Sequence, residues 1–169
     1  MKTPILGSAY VARSVNAADS QMINLFPEMV PEAGKEPAFL QRCPGLTLKV
    51  SVGLGPIRGM WWHSVYLYVV SGNTFYQITS SWVATAKGTV AGTGPVSMAD
   101  NGTQIMIAAD PTGYIYNTNT GVFAQIVDPD FPGASVVDYL DGYFVFIEPN
   151  SQRIWVTGLL DGTTVDPLD

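Results

Sequence analysis

The stretch Tyr66-Leu67-Tyr68-Val69-Val70-Ser71-Gly72-Asn73 decides the fold. It is a short apolar run of aromatic and β-branched residues that stops at a turn, which is how a buried strand reads. The run recurs. Tyr66-Leu67-Tyr68, Ile105-Met106-Ile107 and Phe144-Val145-Phe146 are separated by 39 residues and again by 39. Tyr76, Ile115 and Ile154 keep the same interval, each beside another large apolar residue: Phe75, Tyr116 and Trp155. Pro56-Ile57 and Pro95-Val96 are also 39 apart, with Ala134-Ser135 in the third place.

Turn chemistry follows the same rhythm. Asn101-Gly102 and Asp141-Gly142 are dipeptides that accept positive φ and close tight hairpins. Ser71-Gly72-Asn73, Pro111-Thr112-Gly113 and Pro149-Asn150-Ser151 hold the following turn. Each unit therefore reads as a strand, a hairpin, a central strand, a turn and a third strand. Trp82-Val83-Ala84 and Val122-Phe123-Ala124 suggest a weaker fourth. Four short strands in a unit of about 40 residues are the mark of a β-propeller blade. A lone four-stranded sheet cannot bury both faces, whereas stacked blades cover one another. The expectation is an all-β fold of blade-like units of about 39 residues, an incomplete propeller of three repeats. Leu67, Met106 and Val145 are expected in equivalent, buried, central-strand positions.

The predicted organisation is an extended N-terminal segment, 1–55, followed by repeats at 56–94, 95–133 and 134–169. The first segment carries Pro4, Pro27, Pro31, Pro37 and Pro44 and no helical apolar period. Tyr10–Val15 and Met22–Phe26 read as strands, Phe39-Leu40 leads into the Pro44-Gly45 turn, and a weak helix is an option at Glu32–Leu40. Such a segment is suited to shield the edge of a blade.

Composition agrees with this reading and removes several function classes. Of 169 residues, 47% are apolar and 13% charged, too apolar for disorder. Seventeen Gly and twelve Pro favour turns. With one Cys, Cys43, an internal disulfide is excluded, and Cys43 reads as a small buried residue. No apolar run is long enough for a signal sequence or a membrane span, so a soluble chain from a reducing compartment is expected. Net charge is −6, unevenly spread: residues 128–169 hold eight acidic groups against Arg153 alone. No basic stripe suits phosphate binding.

HExxH, P-loop and Cys/His clusters are absent from the sequence. Gly53, Gly55 and Gly59 form a glycine run with no helical pattern after it. Asp128-Pro129-Asp130 and Asp161-Gly162-Thr163-Thr164 lack the ligand alternation of a calcium loop and read as surface turns. Asp138, Asp141 and Glu148 could be considered for paired-carboxylate glycoside cleavage. The hairpin pattern instead puts Asp141 at a tip and Asp138 in a strand. His63, the only His, is expected to be a hydrogen-bonded blade residue. Trp61, Trp62, Trp82 and Trp155 are expected to pack between blades rather than stack on sugars. The sequence therefore yields no catalytic, cofactor-binding or metal residue, and a non-enzymatic protein without cofactors is expected.

Several short segments resemble the tail-hub, or packaged-DNA stabilisation, proteins of short-tailed bacteriophages. Asn16-Ala17-Ala18-Asp19 through Ile23-Asn24-Leu25-Phe26-Pro27-Glu28 is similar to the segment that opens that family. Cys43-Pro44-Gly45-Leu46-Thr47, Ile57-Arg58-Gly59-Met60 and Gly94-Pro95-Val96-Ser97-Met98-Ala99 follow in the family's order. The resemblance covers residues 16–110. It implies a structural virion protein of the tail, assembled in the bacterial cytoplasm, that helps close the portal channel, retain packaged DNA and attach a tail needle or spikes. The partners it implies are the portal or adaptor, the tail needle and tailspike, and further copies in a homo-oligomeric ring. Packaged DNA would lie near the channel without sequence-specific binding, and no membrane is involved. The alternative reading is a glycan- or protein-binding propeller module. Asp161, Asp166 and Asp169 would guard the exposed edge of the third repeat while admitting a basic partner; the alternatives are an acidic lining for the DNA path in a hub, or a solvated acidic face.

Overall fold

The structure is a computed structural model, and it describes residues 24–29 and 38–165. The chain divides into two compact units, Met1–Leu48 and Lys49–Asp169. In the first, β1 (Leu25–Met29) and β2 (Ala38–Arg42) pair antiparallel as a two-stranded sheet. The Cys43 amide closes the ribbon on the Asn24 carbonyl at 3.0 Å. Residues 38–40, which the weak helix would have included, are therefore strand; the rest of Glu32–Leu40 and all of Tyr10–Val15 lie outside the described residues.

The second unit is three four-stranded antiparallel sheets. The first blade is β3 (Ile57–His63), β4 (Tyr66–Ser71), β5 (Thr74–Ile78) and β6 (Ala84–Thr89). The second is β7 (Ser97–Asp100), β8 (Gln104–Ala109), β9 (Thr112–Asn117) and β10 (Phe123–Gln125). The third is β11 (Val136–Leu140), β12 (Tyr143–Ile147), β13 (Ile154–Gly158) and β14 (Asp161–Val165). Strand order in every sheet is sequence order, so each blade is a meander. The first strands of successive blades run side by side, whereas the fourth strands diverge, as blades fan out from an axis. The protein is an all-β, incomplete propeller.

Two cores alternate with the blades. Between blades one and two, Tyr68, Val70 and Phe75 meet Met98, Ile105, Ile107, Tyr114 and Tyr116, flanked by Trp61 and Phe123. Phe75 stacks on Tyr68 at 5.6 Å and meets Tyr116 edge-on at 5.4 Å. Between blades two and three, Met106, Ala108 and Ile115 meet Val137, Phe144, Phe146 and Val165. The middle blade is thus covered on both faces, which is why β8 is buried continuously from Ile105 to Ala109. Burial of one aromatic such as Phe144 contributes about 1.5–3 kcal/mol.

The 39-residue interval slips by one residue in the first blade. A bulge between Ile57 and Gly59 puts one extra residue into β3, while the hairpins that follow, Ser64-Val65 and Gly102-Thr103, are both two residues long. The residue equivalent to Met106 is therefore Tyr68, not Leu67, because a single-residue shift moves a side chain to the other face. Leu67 points away from the second blade and is half-buried. Val145 does match Met106, but it is also only half-buried, on the side of blade three that faces away from blade two.

Candidate functional site

Polar side chains tie successive blades together where their first strands approach. The β3–β4 register slips between Ile57 and Gly59, so Arg58 is the extra residue of a β-bulge. A bulge re-aims its side chain. The Arg58 guanidinium enters the connector to blade two, where the residue is 8% exposed. Its Nε donates to the Gly94 carbonyl at 2.7 Å, Nη1 to Gly72 at 3.0 Å and Val90 at 3.2 Å, and Nη2 to Ala91 at 2.9 Å. Carbonyl dipoles, not a carboxylate, satisfy this charge among the described residues. Gly59 completes the joint: a Cβ there would lie 2.6 Å from the Val96 carbonyl oxygen. Only glycine lets β3 come so close to the start of β7.

Asp100 is a second tie. Its carboxylate accepts from Trp61 Nε1 at 2.7 Å and from the Gly102 amide at 2.9 Å, and His63 Nδ1 lies 2.9 Å from Oδ1. A carboxylate only accepts, so His63 carries its proton on Nδ1. His63 is thus a hydrogen-bonded blade residue, as expected. Between blades two and three, the Ser97 hydroxyl donates to the Val137 carbonyl and accepts from the Val137 amide, both at 3.2 Å. Gln104 clasps β14 by accepting from the Gly162 amide at 2.8 Å and donating to Asp161 at 3.2 Å. Burial alone would raise the Asp161 pKa. Hydrogen bonds from the Thr163 amide and hydroxyl, Gln104 and Thr164 together outweigh it, and the carboxyl is held below its ordinary value.

The sequence-level candidates divide. Trp61 and Trp155 pack against the inter-blade cores. Trp62, 63% exposed, and Trp82, in a turn at φ 63°, do not, which corrects the expectation for those two. Cys43 is exposed rather than buried, because the segment after β2 carries little apolar cover. Asp141 sits at the tip joining β11 to β12, and Glu148 follows the far end of β12, where it accepts from Trp155 Nε1 at 3.3 Å. Asp138 caps its neighbour's amide, that of Tyr139. Asp141 and Glu148 thus stand at opposite ends of β12, and Asp138 lies on β11 opposite its middle. Asp128 anchors its own turn and the Val165 amide. Asp161, on the edge strand β14, takes part in the Gln104 clasp; Asp166 and Asp169 lie outside the described residues. Among the described residues no cluster of three His, Cys, Asp or Glu could hold a metal, and no helix is long and apolar enough to cross a membrane.

Nothing in the sequence pattern alone assigns Arg58 a role. A lone cation opening a strand, followed by Gly, was the available signal.

The family model described as "Bacteriophage P22 Gp10, beta-propeller", a phage stabilisation family, matches residues 1–169. The chain belongs to this family. It is accordingly a phage structural protein and a virion component built on a propeller. Curated protein sequences show no significant match. Among solved structures, the Pan2 WD40 domain of Neurospora crassa is similar at 13% identity and a TM-score of 0.49, covering 66% of this chain and 35% of that one. The match thus spans about a third of that structure. Arg58 and Gly59, within the segment that resembled the phage family, are now seen to fix the first blade to the second in this Gp10-type propeller.

Proposed function

We propose that this Gp10-family chain works in the tail hub, helping to close the portal channel, retain packaged DNA and carry the tail needle or spikes. The observation supporting it is the family match along the whole sequence. The blades add a surface of the right kind: Val136, Leu140, Ile147 and Ile154 lie exposed on the side of blade three away from blade two, Ile154 at 69%. Apolar patches on otherwise polar surfaces mark protein contacts. In this reading the partners are the portal or adaptor, needle, tailspike and further copies in a ring, with assembly in the host cytoplasm. DNA passes nearby without base-specific contacts, since residues 128–169 are strongly acidic. The working divisions are 1–55 and three repeats at 56–94, 95–133 and 134–169. The role requires no catalysis.

The test is to assemble phage particles without this protein. Loss of genome from filled heads, DNase access to the DNA and missing needle or spikes are expected. Particles that keep their DNA and carry complete tails would refute the assignment. So would hydrolysis of glycosides, esters or nucleotides that is abolished by Asp138→Asn or Glu148→Gln.

A further inference from the structure

A cleft of about 370 Å³ opens beside the first hairpin of blade one, lined by His63, Ser64, Tyr66, Tyr68, Thr118 and Asn119. It brings the β3–β4 turn of one blade to the β9–β10 turn of the next. Its size falls within the range of small-ligand sites, in which a few placed polar groups set orientation.

The hydrogen-bonding state of each group is fixed by its neighbours. His63 gives its Nδ1 proton to Asp100, so in the neutral ring Nε2 is an acceptor. The Tyr68 oxygen accepts from Gln77 Nε2 at 3.0 Å, which leaves its own O–H to donate. Thr118 Oγ1 donates to the Thr103 carbonyl at 3.0 Å and so presents an accepting oxygen. The exposed Ser64 hydroxyl and Asn119 amide each offer both roles. Tyr66 stands edge-on to Tyr68 at 6.4 Å and is 36% exposed, so part of its ring remains accessible.

This set selects its ligand class. Among the described residues the lining holds no Lys or Arg, so an anion meets no counter-charge there. The carboxylate behind His63, Asp100, already takes Trp61, His63 and Gly102, so it does not invite a cation either. The lining offers both donors and acceptors beside an aromatic ring. That pattern matches hydroxyls, which both donate and accept, on a ring with an apolar C–H face. We propose that this inter-blade cleft binds a neutral pyranose, with Tyr66 as the platform and His63 Nε2, Tyr68, Thr118 and Asn119 reading its hydroxyls. The inference does not depend on the tail-hub role.

Saturation-transfer NMR on the full chain tests it, with methyl glycosides of glucose, galactose, mannose and N-acetylglucosamine, and N-acetylneuraminic acid as the charged comparison. At least one neutral glycoside should bind at roughly millimolar affinity. Tyr66→Ala and Asn119→Ala should each weaken it, Tyr66→Ala by about tenfold, equivalent to about 1.4 kcal/mol. Asn119 lies on an exposed turn, so its variant reports binding even if Tyr66→Ala perturbs folding. Trp82→Ala, which removes an exposed aromatic elsewhere, should change nothing. Three results would each overturn the proposal: no neutral glycoside binding, preference for the anionic sugar, or loss of binding with Trp82→Ala but not with the cleft variants.

Discussion

Replacing Arg58 by Met keeps most of the side-chain volume and removes the charge, which isolates the carbonyl cage between blades one and two. Four carbonyls, those of Gly72, Val90, Ala91 and Gly94, lose their donor together. Hydrogen bonds to a charged group contribute about 1.5–3 kcal/mol each, and a buried acceptor left bare costs about 1–3 kcal/mol. The four share one guanidinium, so they do not add, and the connector can relax to admit water to the outer carbonyls. Desolvation of the lone cation in the parent offsets part of the gain. A net loss of about 4 kcal/mol is the expectation, at the exceptional end of single substitutions. Arg58→Lys keeps the charge but not the planar fork, and should lose about half as much. Urea unfolding followed by tryptophan fluorescence reads both, since Trp61 sits at the same joint. If Arg58→Met unfolds within about 1 kcal/mol of the parent, the cage is incidental and the blades are held by apolar packing alone.

Two further perturbations separate the blade faces and the third-blade clasp. Met106→Asp buries an unpaired charge and should cost several kcal/mol, whereas Leu67→Asp, on the half-exposed opposite face, should cost far less by the same assay; equal losses would restore the uniform 39-residue register. The Asp161 carboxyl is held below its unfolded value, so its contribution to stability is complete above that value, near pH 4, and is lost as pH falls through the lower folded pKa. Thermal melts from pH 5 down to pH 2 should show Asp161→Asn less acid-sensitive than the parent, and parallel curves would show the clasp to be electrostatically idle.

The blade architecture was legible because its signals are local and repeat: apolar runs, Asn-Gly and Asp-Gly tips, and a fixed interval. What escaped depends on parity. Tyr66-Leu67-Tyr68 and Ile105-Met106-Ile107 are apolar at every position, so nothing in the residues shows which face each presents. A bulge decides it: Arg58 adds one residue to β3, so the 39-residue step becomes 38 beyond it, while the hairpins Ser64-Val65 and Gly102-Thr103 have the same length. The inter-blade ties were illegible for another reason. Arg58 meets backbone carbonyls, which carry no sequence signature, and Asp100 meets Trp61 across a blade boundary 39 residues away. The tryptophans show the same limit: Trp61 and Trp62 are adjacent, and strand alternation sends one into the core and the other to the surface.

The exposed side of blade three is best understood through the side of blade two that it copies. Ala99, Met106, Ala108 and Ile115 form the covered face of the middle blade. A step of 39 residues carries them to Asp138, Val145, Ile147 and Ile154. Three of the four positions stay apolar, although Ile147 and Ile154 are exposed while their counterparts are buried. Antiparallel sheets with one wet face normally place polar residues there. Here only Asp138 departs from the pattern of a face built to be covered. Each blade touches only its neighbours, so stability is a sum over blade interfaces, as in other repeat proteins. The two interfaces present combine an apolar centre with polar ties near the first strands: Arg58 and Asp100 at one, Ser97 and Gln104 at the other. Asp138 occupies the corresponding first-strand face of blade three, where the same division of labour would place its next polar tie.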